Sequence, residues 1–453
     1  MSKLKKISPS TPLLEAMILH HEEPYEIPKD WKWVKVGYLG EVVGGGTPKS
    51  GIEDYYGGEI SWITPSDLSR HKSIYIEKGK KSITKLGLSK SSAKLLPKNS
   101  VLFSSRAPIG YVVISARELT TSQGFKSFKP SDKYIPKFLY YYLTSAKGLA
   151  ESMASGTTFL EISATKITHL PIPLPPLSEQ ERIVARLDQL LGEAANYRQL
   201  LAQLPKKIEQ FRQSVLARAI SGELSATWRA AQEVEENAAD LLEEVGLGMK
   251  KNTKYDLSKL PELPENWLWT HFGNIAKVSS NLVAPSDYLT YRLVAPNHIE
   301  KETGRLLYTE SVKESGVKSP KHLFRPGQII YSKIRPYLSK LTIADFEGLC
   351  SADMYPIDTV IYTEYLYYYM LSSKFVAYAS NAGSRSVLPK INKKELSLIP
   401  IPLPPLAEQK EIVAQVEALL AQADALSDYY ERAMAGAEQL PQTILAKAFR
   451  GEL

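Results

Sequence analysis

The sequence predicts an α+β fold in which two globular domains are joined by two long antiparallel coiled-coil helices, as a pseudo-twofold repeat. Three observations carry this. Residues 170–191 and 399–420 share fourteen of twenty-two identities without a gap, and internal repetition decides architecture before any local signal does. The offset of 229 residues is unchanged at the far end, where "SVLARAISGEL" (214–224) answers "TILAKAFRGEL" (443–453), so length is constrained in between. Apolar residues then recur at alternating spacings of four and three, from Ile183 through Tyr197 and Phe211 to Val215, and from Ile412 through Leu426 and Leu440 to Ile444. A seam held over that length indicates a coiled coil rather than an ordinary amphipathic helix.

The elements follow in order. Residues 1–25 are an N-terminal arm, with His20, His21 and Glu22 adjacent in it and no counterpart before the second unit. The first globular block, 26–170, opens on "IPKDWKWVKVG", which "LPENWLWTHFG" answers at the start of the second block, 263–399. In the first block "GGGTPKSG" (44–51) and "DYYGGEISWITPSDL" (54–68) read as turn-rich, "SVLFSS" (100–105) and "GYVVIS" (110–115) as strands, and residues 136–144 as a helix. In the second, "RLVAPNHI", "GQIIYSKIRP" and "SKLTIAD" are followed by a helix near 365–372. "FSSRAPIG" (103–110) corresponds loosely to "YSKIRPYL" (331–338).

The spacer helices fall in 171–224 and 400–453, separated by an acidic linker, 225–262. "PLPP" cannot be helix interior, and Ser178 with Glu181 reads as a capping box after it. Pro205 and Pro441 lie inside the pattern, where proline should kink or break a helix. Some forty helical residues make a rod of about 60 Å, against about 34 Å for a turn of B-DNA. The unchanged offset would then act as a ruler between two readers.

Composition bounds the function. The 453 residues carry a formal charge of +7, 43% hydrophobic and 23% charged residues, the profile of a folding chain of two or three domains. The single cysteine, Cys350, forms no internal disulfide or cysteine metal cluster, and the N-terminus lacks the apolar core of a signal peptide, so a cytoplasmic protein without a membrane span is expected. Lysine and arginine crowd residues 70–137 and 292–394, whereas 233–246 is acidic; two basic blocks suggest two anion-facing surfaces, with nucleic acid the leading partner. No GxxxxGK[ST], HExxH, metal-spaced Cys/His set or Pro-Asp nuclease start is present, and the seven histidines form no acid–base pattern.

Base edges are read by Arg, Lys, Asn, Gln, Ser and Thr, and phosphates are held by Lys, Arg and backbone amides. On that chemistry the DNA-binding candidates are Thr64, Ser66, Ser104, Ser105, Arg106, Gln123, Lys126, Thr157 and Thr158 in the first block, and Asn297, His298, Ser332, Lys333, Arg335, Arg385 and Ser386 in the second. The tyrosine triplets 140–142 and 367–369 fit packing better than base stacking, since consecutive helical residues point different ways.

These residues resemble the specificity subunits of type I restriction-modification enzymes: "DWKWVKVG" and "NWLWTHFG" as unit starts, "GGEISWITPSDL", "IPLPPLSEQ" and "IPLPPLAEQ", and "AISGELSATWR" and "AFRGEL" at the ends. The resemblance implies a non-catalytic subunit with two target-recognition domains, each reading half of a split asymmetric sequence in double-stranded DNA. It implies two methyltransferase subunits docked on the helical repeats and two restriction motor-nuclease subunits as further members. S-adenosylmethionine, ATP and Mg would belong to those partners, with no cofactor and no metal in this chain. By position, Glu179, Gln180, Glu408 and Gln409 are candidates for partner or inter-repeat contacts, or equally for capping and packing. A methylation-only or antiphage system and a coiled-coil DNA-binding scaffold remain as alternatives.

Overall fold

The computed structural model describes residues 5–106, 108–156, 160–232, 236–244, 255–382 and 389–453. The chain divides into two compact units, one of residues 1–202 with 433–453, the other of residues 203–432. Each is an α+β body, and among the described residues no helix is long and apolar enough to cross a membrane.

The repeated signatures find each other as strands. Lys32–Lys35, inside "DWKWVKVG", pairs antiparallel with Pro171–Leu174, and Leu268–His271 pairs with Pro400–Leu403 in the same register, Trp33 opposite Pro173 and Trp269 opposite Pro402. The first half of "IPLPPL" is therefore a strand and its Pro-Pro step is the joint to the helix. Proline is tolerated because these sheets have two strands and an open outer edge. The alternation sends Ile172 and Ile401 into the core, both fully buried. The tyrosine triplets clamp the same strands: Tyr142 and Tyr369 donate their hydroxyls to the carbonyls of Pro171 and Pro400.

In unit 1 a five-stranded sheet runs in the order Val42–Gly44, Phe125–Phe128, Val101–Ser105, Ile109–Ser115 and Tyr75–Ile76. A second sheet places Tyr56–Ile63 between Lys81–Ile83 and Thr120–Thr121. The stretch 54–68, expected as turns, thus contains an eight-residue strand. Its glycines are absorbed in a bulge, where Tyr56 and Ile60 both face Ile83 and Gly57 takes φ +79°. Unit 2 has sheets of four and five strands, with Ile329–Ser332 flanked by Met354–Thr359 and Leu341–Ile343.

The arm is part of unit 1's packing. Ile18 N–H donates to Trp33 O, Ala16 is buried, and Trp33 Nε1 donates to Tyr25 O at 3.0 Å. The indole contact at its end recurs in the second unit, where Trp269 Nε1 donates to Pro261 O eight residues upstream, as Trp33 does to Tyr25. Linker residues Ala238 and Leu242 likewise enter unit 2's core from the helix Ala238–Glu244.

The first spacer consists of two helices, Leu177–Leu201 and Leu204–Ser221, with Pro205 in the opening turn of the second, where a missing N–H leaves no bond unmade. The other is a single helix, Leu406–Arg450, that continues through Pro441. Buried Ala437, Leu445, Ala448 and Phe449 hold both sides of that one lost hydrogen bond. Ser178 makes no capping box: the first helix starts at Leu177 with Pro176 as its uncapped N-cap, so Ser178 lies already inside the first turn. Within unit 1, Arg198 meets Glu438 and Arg182 meets the Leu453 carbonyl; within unit 2, Arg212 meets Asp424 and Arg229 meets Glu408. In each unit the paired stretches therefore run in opposite directions. Seam residues Ile183 and Leu187 share unit 1's core with Leu445 and Phe449, and Val215 shares unit 2's with Ile412 and Val416. Farther along, Tyr197, Phe211, Leu426 and Leu440 stay exposed, at 41, 41, 44 and 37%, so the seam is not buried throughout.

Candidate nucleic-acid interface

One backbone frame recurs in both units. In unit 1 the strand Val101–Ser105 ends where Ile162 N–H donates to Ser105 O at 3.0 Å and Arg106 bridges Glu161. In unit 2 the strand Ile329–Ser332 ends where Ile391 N–H donates to Lys333 O at 3.0 Å and Ile334 bridges Lys390. Ser105 corresponds to Lys333, Arg106 to Ile334 and Glu161 to Lys390.

On that frame unit 1 collects a mixed set. Lys126 Nζ donates to Ser105 Oγ at 3.2 Å and to Glu161 Oε1 at 3.3 Å, while Arg106 lies 3.8 Å from the other oxygen of Glu161. An added Cβ on Gly124 would lie 3.0 Å from Pro65 Cγ and 3.7 Å from Arg106 Cγ, which brings the turns bearing Ser66 and Gln123 to the same place. Ser66 and Gln123 are exposed and Arg106 is half-exposed. Thr64 is spent on structure, its hydroxyl bonded to Asp67 at 2.7 Å in a capping box. Ser104 and Ser105 are fully buried; Ser104 donates to Pro108 O and accepts from Tyr111 N–H, so these two hydroxyls support the frame rather than face outward. Thr157 and Thr158 lie outside the described residues, in a segment whose ends are tied by reciprocal backbone bonds between Ser155 and Glu161.

Unit 2 presents a cationic set instead. Lys333 Nζ donates to Ala352 O and stands 5.1 Å from the Tyr355 ring; burial first, then the neighbouring Lys390, pushes its pKa below the usual lysine range. Arg335 is exposed, with φ +48° and its N–H donated to Pro389 O at 2.7 Å, an αL backbone held by that contact. Ser332 is buried and donates to Ile334 O. His298 is buried, its Nδ1 3.2 Å from Leu293 O, its Nε2 3.4 Å from Glu310 and its ring against Tyr308, whose hydroxyl accepts from exposed Asn297 at 3.0 Å. Arg385 and Ser386 fall outside the described residues.

Sequence reasoning missed Glu161 and Lys390. Their signal was positional, since each follows the helical hairpin after the tyrosine triplet, but strand pairing alone shows that they face the strand end. Of the helix-start candidates, Gln180, Glu408 and Gln409 are buried within their units and Glu179 is part-exposed. Gln180 accepts from Ile135 N–H at 2.9 Å and donates to Lys133 O and Pro175 O, and Gln409 accepts from Tyr362 N–H at 3.0 Å and donates to Pro404 O. Glu408, 1% exposed, accepts from Ser225, Arg229 and Trp267, whereas Glu179 pairs along its own helix with Arg182.

The family described as type I restriction modification DNA specificity domain matches residues 28–210 and 276–428. The type I restriction enzyme EcoDI specificity subunit of Escherichia coli is 46% identical over 319 residues, 70% of each chain. The MjaIX specificity subunit of Methanocaldococcus jannaschii is 29% identical over 408 residues, 86% of this chain and 87% of that one. In fold, the HsdS subunit from Thermoanaerobacter tengcongensis superposes with a TM-score of 0.63 at 21% identity, over 95% of this chain and all of that one. The chain belongs to the type I restriction-modification DNA specificity family.

Proposed function

We propose that this chain is the non-catalytic DNA-recognition subunit of a type I restriction-modification complex, working in the cytoplasm. Each unit reads one half of a split, asymmetric target, and the paired helices form an antiparallel coiled-coil spacer that docks two methyltransferase subunits, with two restriction subunits joining the assembly. S-adenosylmethionine, ATP and Mg are used by those partners. One observation carries the reading: the same backbone frame holds Arg106, Lys126 and Glu161 in one unit and Lys333 and Lys390 in the other. A carboxylate accepts from cytosine N4 and lysine donates to guanine O6 and N7, so equal scaffolds with unequal side chains suit unequal half-sites. The test replaces residues 40–165 by the matching block of a relative and maps methylated sequences in the host. A change confined to one half of the target is expected; a change in both halves, or in neither, would sink the modular reading.

A further inference from the structure

Residues 78–98 contain seven lysines and no acidic residue. All seven are exposed. The lysine and arginine ion pairs of unit 1 involve other residues, such as Lys126, Lys129 and Lys137; among the described residues none of the seven forms a close ion pair, and of them only Lys94, outside the stretch 78–85, acts electrostatically on a carboxylate with a lowered pKa, that of Glu41. Uncompensated like charges on one small surface repel one another, and a polyanion relieves that repulsion.

The fold places this ridge beside the candidate interface. Lys81 sits opposite Trp62 in the sheet built on Tyr56–Ile63, and the next residues form the helix Lys85–Ser89, capped by Thr84. The turn between Lys78 and Lys81 is pinned to the interface: Gly79 N–H donates to Ser61 Oγ at 3.3 Å, and Lys80 N–H to Asp67 Oδ1 at 3.0 Å. Asp67 is the carboxylate that also holds Thr64, next to Pro65 and Ser66. The lysines therefore begin where the polar group around Gly124 and Arg106 ends. Lysine is a flexible point charge without bidentate geometry, suited to phosphate oxygens rather than to base edges.

Unit 2 differs. Its stretch 285–325 carries seven basic residues against five acidic ones. Arg305 pairs with Glu300, Arg325 with Asp358, and the ammonium of Lys321 is turned onto Ser319. By count the charge there is nearly balanced, whereas 78–98 has no acid at all.

We infer that Lys78, Lys80, Lys81 and Lys85 grip phosphates of double-stranded DNA beside the half-site read by unit 1, whatever its base sequence, and that the stretch 285–325 of unit 2 contributes no equivalent ridge. The inference rests on unit 1 facing DNA. Binding free energy from phosphate contacts is released counterion by counterion, so it shows as the slope of log K against log salt.

The experiment uses the full chain assembled with its methyltransferase subunits, and a duplex of unrelated sequence as probe. Three forms are compared: the natural chain, one carrying Lys78→Gln, Lys80→Gln, Lys81→Gln and Lys85→Gln together, and one with arginine at the same four positions. The glutamine form should lose about 0.9 of slope per phosphate contact, up to about 3.6 in all, while the arginine form keeps the natural slope and both still direct methylation to the natural target. An unchanged slope in the glutamine form overturns the ridge. So does a shift in the methylated sequence, because the lysines would then read bases. Failure of the natural complex to bind any duplex overturns the DNA-recognition reading itself, and the ridge with it.

Discussion

Gln180 and Gln409 each saturate an amide with backbone groups at the start of a helix, Ile135 N–H before Pro136–Ser145 and Tyr362 N–H before Thr363–Leu371. Both side chains are fully buried. Removing one leaves a backbone donor without a partner, a loss of about 1–3 kcal/mol. Gln180→Ala should therefore lower the denaturant midpoint of unit 1 and Gln409→Ala that of unit 2, each followed by local hydrogen exchange. The glutamates beside them should not behave alike. Glu408 is 1% exposed under Ser225, Arg229 and Trp267, whereas the Glu179 side chain is 28% exposed and pairs only along its own helix. Glu408→Ala leaves the Arg229 guanidinium half-buried and unpaired and should cost about 3–5 kcal/mol. Glu179→Ala should cost less than about 1 kcal/mol. Equal losses on chemical denaturation would contradict this assignment.

At the scale of elements, the second unit contains three buried imidazoles, His271, His298 and His322. Burial holds His271 and His322 below the ordinary histidine value of 6.5, and for His322 the charges of Lys333 and Lys393 add to it. The folded unit therefore binds fewer protons than the unfolded chain just below that pH, so its stability is complete above about 6.5 and declines as pH falls through the lowered native values. Denaturation of the full chain followed in unit 2 from about pH 7.5 to about pH 5.5 should show that decline, and His322→Gln should make it shallower. An unchanged pH slope in the variant would rule His322 out as a contributor. Several elements were legible beforehand because their signals are local: the strands at 101–105 and 109–115, the helix at 136–145, and the helical stretches after each Pro-Pro step. The candidate interface was only partly legible. Arg106, Lys126, Ser66 and Gln123 do converge, but chemistry alone could not separate the exposed candidates from the buried ones, Ser104, Ser332, His298 and Lys126 itself. Burial depends on partners far away in sequence.

At the scale of the whole molecule, unit 1 is built from both ends of the chain. Phe449 lies 5.4 Å from Phe138 and 5.1 Å from Tyr142, ring centre to ring centre, in a core whose other buried residues, Leu445 and Ala448 apart, all precede Leu191. The helix ends are set equivalently: Gly222 and Gly451 take φ +77° and +76°, with Pro264 and Pro28 packed where a side chain would be. Phe449→Ala should destabilise unit 1 by about 3–5 kcal/mol and leave unit 2's hydrogen exchange unchanged. Loss confined to unit 2 would contradict the partition. By itself the sequence determined the duplication, the unchanged offset of 229, the helical seam and the basic blocks, because identity, periodicity and charge are properties of the chain read in order. Only the tertiary structure decided that "IPLPPL" begins as the strand partner of the tryptophan signature, that the last helix completes the first unit's core, and that Glu161 and Lys390 occupy one frame with opposite charge. Those are pairings between segments with no local signal for one another. They exist because each apolar face and each backbone donor must be satisfied by whichever segment the fold brings to it.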